Sequence, residues 1–310
     1  FPAKTGLVRM AVVQLADVES PTAIIPAASE RQAMDWSLVL VSQGIESMVE
    51  RDAESGRWQI VVSRPDVSRA VNAIRLYTLE NRARRWQLAV PGTGLLFDWR
   101  CLACLLFFVV VFAFEATGRG NLRAAGVLDP GLVRAGQWWR VFTAVTLHAD
   151  ESHLAANVTT GVLMLGLAFG AYGPGLGMLG SYLAGVLAFV AEVFFVPRYS
   201  LGASGMVLGA LGLLTAQWIA LVRHGLTPGQ FAVRGVVSGC LLLVLLGLSP
   251  EERVDVFAHI AGFCAGLVLG AVLAWLPPAV VRSAWMDRVA LAATALLVFG
   301  PWWMALAARG

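Results

Sequence analysis

From Asp98 onward the chain alternates long uncharged stretches with short polar breaks, a pattern of helices that cross a bilayer. Residues 154–191 contain no Asp, Glu, Lys or Arg, and Gly173-Pro174-Gly175 divides them into two helices with a tight turn. Residues 199–222, 235–250, 256–281 and 289–308 are likewise uncharged. Residues 101–114 fall short of the roughly 20 apolar residues a span needs, but Arg100 and Glu115 extend that stretch toward the interfaces. Seven spans are predicted. The seventh, residues 285–308, follows a short connection.

Upstream the periods are shorter. Residues 1–34 are rich in Ala and Pro without clear periodicity and read as poorly ordered. Residues 35–88 read as a small α+β domain. A short apolar helix over 37–44 precedes strands at 45–51 and 58–63, with a turn at Ala53-Glu54-Ser55-Gly56 between them. Pro65 then opens a helix with Val67, Ala70, Val71, Ile74 and Tyr77 on one face, running to about Glu80. Residues 89–96, within a basic stretch broken at Pro91-Gly92, read as a linker. The expected fold class is an all-α polytopic membrane protein preceded by this small soluble domain.

Charge sharpens the division. The chain has 310 residues, and 23 of its 43 charged side chains lie in the first 100. The net charge of +3 is too small and too dispersed for nucleic-acid binding. No secretory signal peptide is expected, since the start lacks a basic stretch followed by an apolar run. Arg82, Arg84, Arg85 and Arg100 precede span 1, Arg223 and Arg234 flank the connection of spans 4 and 5, and Arg282 and Arg288 that of spans 6 and 7. These fall on one side, cytoplasmic by the positive-inside rule. The opposite side carries Glu251, Glu252 and Asp255 against Arg253, although Arg119, Arg123, Arg134 and Arg140 in the loop 118–150 run against the rule. Cys101 and Cys104 form a CxxC pair with no second pair or spaced His, so apolar filler is expected rather than zinc.

Three of the four histidines cluster near the starts of spans 2 and 6: His148, His153 and His259. Ser204 stands near the start of span 4 and Asn157 one turn after His153. Spans 2, 4 and 6 run in the same direction, so these groups meet one membrane face. Counted from the starts of their stretches, Asn157, Ser204 and His259 lie at similar depths, roughly 6–9 Å in at 1.5 Å per residue. A serine hydroxyl becomes a nucleophile when imidazole accepts its proton. Fixed donors, here Asn157, His153 and a backbone N–H, would hold the oxyanion. Gly205 and Gly209 on span 4, with Gly262, Gly266 and Gly270 on span 6, would let the two backbones approach. Each piece has a plainer reading: GxSG strings serve packing, His148 an anchor for its loop, Asp255 an N-cap rather than a triad carboxylate, and Glu192 a snorkelling residue. His224 looks incidental.

Taken together, His148 through Asn157, Gly202-Ala203-Ser204-Gly205 and Ala258-His259 with Gly262 and Gly266 resemble the signature regions of rhomboid proteases, and Trp139-Arg140 resembles that family's Trp-Arg motif. The resemblance covers about residues 97–276. It implies a six-helix rhomboid core with Ser204 and His259 as catalytic dyad and His153 and Asn157 in the oxyanion hole. His148, Trp139, Arg140, Gly202, Gly205, Gly262 and Gly266 would be structural, and the seventh span would be an addition. It also implies substrates that are transmembrane proteins, cleaved in or beside their spans in a lipid bilayer, with no metal or cofactor. The expected location is a bacterial inner membrane, with the N-terminal domain cytoplasmic and the site opening to the exoplasmic side. Where several bacterial members place a Tyr four residues after the nucleophile, this chain has Leu208, which leaves support of the His259 ring open. The alternative is a non-proteolytic relative that binds client helices; intact Ser204 and His259 argue against it. A transporter would carry more ionisable residues within its spans.

Overall fold

The computed structural model describes residues 21–52, 56–80, 87–89, 96–223, 229–247, 255–281 and 283–308. The first 20 residues, the tip of the Ala53–Gly56 turn, Arg82 to Arg85, His224, Glu251 to Arg253 and Arg282 lie outside these. The chain divides into two compact units, 1–85 and 86–310.

In the first unit, β1 (Thr22–Ala27), α1 (Glu30–Ser42), β2 (Ser47–Arg51), β3 (Trp58–Ser63) and α2 (Val67–Glu80) form an antiparallel sheet of order β1-β3-β2 with two helices on it. Ile25, Trp36, Leu40, Ile45, Ile60, Val62 and Ile74 form its core. The poorly ordered reading of 1–34 is corrected for residues 21–34. Ala23, Ile25 and Ala27 alternate into the core, and the Pro26 that disguised the strand sits on an edge, where a missing N–H costs nothing. Helix α1 also starts seven residues before the predicted one, capped by Ser29, whose side chain accepts from the Gln32 N–H.

The second unit opens with two paired antiparallel strands, β4 (Gln87–Ala89) and β5 (Leu96–Asp98); the expected linker, 89–96, lies outside the described residues except for its two ends. Phe97 is buried and fits the Gly166 face of a later helix: a Cβ at Gly166 would come 2.2 Å from its ring. Then follow α3 (Cys101–Ala116) and a long loop holding α4 (Leu122–Gly126), α5 (Pro130–Arg134) and α6 (Arg140–Thr143). The remaining helices are α7 (Glu151–Tyr172), α8 (Pro174–Phe195), α9 (Ser204–Arg223), α10 (Gly229–Gly247), α11 (Val256–Leu273), the short α12 (Pro278–Val281) and α13 (Ala284–Ala307). Seven helices thus occupy the seven predicted spans. Among the described residues α7, α8, α11 and α13 are long and apolar enough to cross a membrane, and Cys101–Ala116 and Val233–Gly247 are shorter apolar helices. The protein is an integral membrane protein. Exposed aromatics stand near helix ends, Trp275 and Trp285 at one side and Phe195, Tyr199 and Trp303 at the other, as interfacial belts require.

Helix α9 is central and packs on α7, α8, α10 and α11. Its contact with α11 is the closest, because glycines face each other. A Cβ at Gly262 would lie 2.3 Å from the Gly205 carbonyl oxygen, and one at Gly266 2.0 Å from that of Gly209. Arg140 is buried and knots the long loop, donating to Gln137 Oε1 and to the carbonyls of Val127 and Ala124.

Candidate active site

One cavity of about 500 Å³ is lined by His153, Asn157, Ser204, Leu208, Asp255 and His259, among others. Four of the sequence-predicted site residues therefore meet at one place, each delivered by the first turns of a different helix or by neighbouring turns of one.

Ser204 is the first residue of α9, not five residues into it as the uncharged stretch suggested. The helix cannot start earlier: Gly202 has φ +131°, and Ser200 is held in a β-bridge with Leu128. This correction matters chemically. The first intrahelical bond is Val207 N–H to the Ala203 carbonyl, and the N–H groups before it have no partner within the helix. The positive end of the α9 dipole therefore sits at the hydroxyl, where negative charge is stabilised.

His259, in the first turn of α11, is buried. Its Nδ1 lies 2.8 Å from the Gly247 carbonyl oxygen, at the end of α10. A carbonyl only accepts, so Nδ1 carries a proton and, in the neutral ring, Nε2 keeps its lone pair. Gly247 could not be picked out beforehand, because a main-chain acceptor has no residue signature. It supplies the ring support that Leu208 left open. Asp255 caps α11, accepting from the Ala258 N–H at 2.9 Å, as expected.

Asp150 caps helix α7, its side chain accepting from the His153 N–H at 2.8 Å. The His153 ring lies over Gly202, where a Cβ would come within 2.5 Å of Cε1, so the space is available only to glycine. Asn157 is buried and spends one Nδ2 hydrogen on the His153 carbonyl at 3.0 Å, which leaves the second. His148 lies behind these, wholly buried, with Phe108 and His153 against its ring. Burial, with His153 beside it, drops its pKa to about 3, so it is neutral at pH 7. Its carbonyl accepts from Arg123, so the loop is anchored by main chain while the ring fills the interior. Trp139 and Arg140 brace the loop and do not line the cavity.

Glu192 was expected to snorkel. It is instead wholly buried and accepts from Arg198 Nε at 3.2 Å; its face of α8 turns inward and Arg198 folds back over it. Among the described residues no cluster of His, Cys, Asp and Glu has the makings of a metal site.

A family model, the rhomboid domain, matches residues 135–276, a segment that contains every cavity-lining residue named above. The chain carries a rhomboid domain. Rhomboid protease GluP of Bacillus subtilis (strain 168) is 30% identical over 176 residues, 56% of this chain and 33% of the relative. RHOMBOID-like protein 5 of Arabidopsis thaliana is 32% identical over 158 residues, 49% and 50% of the two chains. Rhomboid-like protease 2 of Toxoplasma gondii is 28% identical over 181 residues, 57% and 61%. The chain thus spans from a third to about six-tenths of the length of these relatives, and the likeness falls on and around the rhomboid domain.

Proposed function

We propose that the chain is an intramembrane serine endopeptidase in which Ser204 is the nucleophile and His259 the general base. The observation that carries this reading is the His259 Nδ1 contact with the Gly247 carbonyl, which leaves Nε2 as the acceptor of a neutral ring that lines the same cavity as Ser204. In the reaction Ser204 Oγ gives its proton to Nε2 and attacks the scissile carbonyl. The tetrahedral oxyanion accepts from the second Nδ2 hydrogen of Asn157, from His153 and from a main-chain N–H at the start of α9. Nε2 then passes its proton to the leaving amine, and water resolves the acyl-enzyme by the same route.

The substrates are transmembrane segments, opened at the membrane face where α7, α9 and α11 begin. The distribution of arginines supports placing that face exoplasmic and the N-terminal unit cytoplasmic. The names of two relatives, Rhomboid protease GluP and Rhomboid-like protease 2, agree with proteolysis.

The test is labelling by a fluorophosphonate and cleavage of a model transmembrane substrate in proteoliposomes. Wild type labels at Ser204 and cleaves; Ser204→Ala and His259→Ala do neither while remaining folded. Asn157→Ala lowers kcat more than it raises KM, because its bond strengthens in the transition state. Cleavage undiminished in Ser204→Ala removes the dyad. A wild-type protein that binds such segments without labelling or cutting is a client-helix binder instead.

A further inference from the structure

The nucleophile and its base lie on different helices, so something must fix the one against the other. The glycine contact of α9 with α11 sets the spacing of the two helices, and the loop that leads into Ser204 is a further determinant of where the hydroxyl stands. Residues 196–203, which lead from α8 into Ser204, are tied in three places. Ser200 exchanges main-chain bonds with Leu128, at 3.0 and 3.3 Å, and the Gly202 N–H bonds the Ala144 carbonyl at 3.0 Å. Both of these tie the segment to the long loop. The third tie runs to the helix of the base, and all of it passes through one carboxylate.

Asp255 Oδ2 accepts from the Ser200 hydroxyl at 2.7 Å, and Oδ1 accepts from the Arg198 guanidinium. The same Oδ1 accepts the Ala258 N–H, and the Asp255 carbonyl accepts the His259 N–H at 3.0 Å. Arg198 is itself held by Glu192. Arg198, Ser200 and Asp255 all line the cavity. Resting on the protease reading above, we infer that Asp255 is a positioning residue that locks the nucleophile's loop to the first turn of the base's helix, with Ser200 and Arg198 as the two cross-links. It replaces the third member of a triad by acting on the backbone around the histidine, not on its ring, which Gly247 holds.

Asp255→Asn separates this role from helix capping. Asparagine caps a helix as well as aspartate does, but it gives up the charge-assisted bond to Arg198 and the second carboxylate oxygen. The full chain in proteoliposomes is assayed for kcat and KM on a transmembrane substrate, for fluorophosphonate-titrated sites and for its unfolding midpoint. Since a misplacement of about 1 Å costs on the order of 100-fold, kcat per titrated site should fall about 10- to 100-fold, with KM and the midpoint unchanged. Ser200→Ala, which leaves cap and ion pair intact, should lower kcat less and add little on top of Asp255→Asn. Wild-type kcat in both variants overturns the inference. So does a loss accounted for by fewer titrated sites or a lower midpoint, which would make Asp255 a stabilising residue only. Should Asp255→Asn fail to fold, Ser200→Ala decides alone by the same readings. An unlabelled, inactive wild type sinks the protease reading and this inference with it; an active wild type with indifferent variants sinks only the inference.

Discussion

A methyl group at Gly262 should disable the site without touching any polar residue in it. A Cβ there would lie 2.3 Å from the Gly205 carbonyl oxygen, 2.8 Å from its Cα and 2.9 Å from its carbonyl carbon, where ordinary contact begins at 3.4 Å. All three are backbone atoms, so no side chain can swing aside, and α9 and α11 must part by about 1 Å. Gly205 adjoins Ser204, and Gly262 is one turn past His259, about 4.5 Å along the axis. The separation therefore reaches the dyad almost undiminished. Proton transfer from serine to imidazole needs an approach of about 2.6–3.2 Å, and helices held about 1 Å further apart put that approach out of reach. The expected loss in kcat is on the order of 100-fold, or about 3 kcal/mol of barrier. Overpacking separately costs about 1–3 kcal/mol of stability.

The two costs separate if kcat is expressed per fluorophosphonate-titrated site and unfolding is followed in parallel. Gly300→Ala is the control, since a Cβ there meets nothing within 4 Å; it should keep wild-type kcat. Retention of more than half the wild-type kcat per site by Gly262→Ala would refute the claim that helix spacing sets the dyad distance.

Two further outcomes concern the surroundings of the site. Trp302 on α13 donates Nε1–H to Thr146 Oγ1 at 3.0 Å, and its ring lies over Gly126; Trp302→Ala should cost about 3–5 kcal/mol and Trp302→Phe only about 1, measured by denaturant unfolding in detergent. Equal losses would show that ring packing is not what α13 contributes. His148, held near pKa 3 by burial, binds its proton more weakly folded than unfolded, so its contribution is present above the unfolded pKa of about 6.5 and is lost as pH falls toward 3. From pH 6.5 to 5 this single residue should remove about 2 kcal/mol of stability, and His148→Leu should flatten that slope. An unchanged slope would mean that the ring is charged in the folded state.

What was readable from sequence follows from which interactions carry a residue signature. The helices of the second unit declared themselves because the bilayer excludes charge from each stretch, and α2 because Pro65 and its apolar spacing coincide. The starts of helices were less legible. Nothing in Tyr199 to Ala203 forbids a helix except a long-range bridge from Ser200 to Leu128 and the backbone of Gly202, neither a matter of hydropathy. Strand β1 was hidden because small Ala residues alternate with Ile and Pro, a weak period. Ser204, His259, His153 and Asn157 were legible as candidates from depth and chemistry. Gly247, Arg198 and Ser200 were not, since a carbonyl is anonymous and a cross-link between distant segments leaves no local trace.

The choice of a main-chain carbonyl to hold the proposed base has a physical logic particular to a membrane. A neutral imidazole needs one ring nitrogen committed as a donor so that the other stays an acceptor. A carboxylate would do this, but an ionised carboxylate beside a buried ring in apolar surroundings carries a desolvation cost of several kcal/mol unless it is paired. The last four carbonyls of a helix are without intrahelical donors and stand at the negative end of its dipole. Gly247 is the final residue of α10, so its oxygen is both free to accept and already polarised. Glycine also suits the place: a Cβ would press to 3.1 Å on Leu208 and 3.6 Å on His259. The carboxylate this chain does use, Asp255, stands where Arg198, Ser200 and a helix N-terminus compensate its charge. The two tasks that a triad acid combines, orienting the ring and compensating charge, are thus divided between a carbonyl that is already dry and a carboxylate kept near the surface.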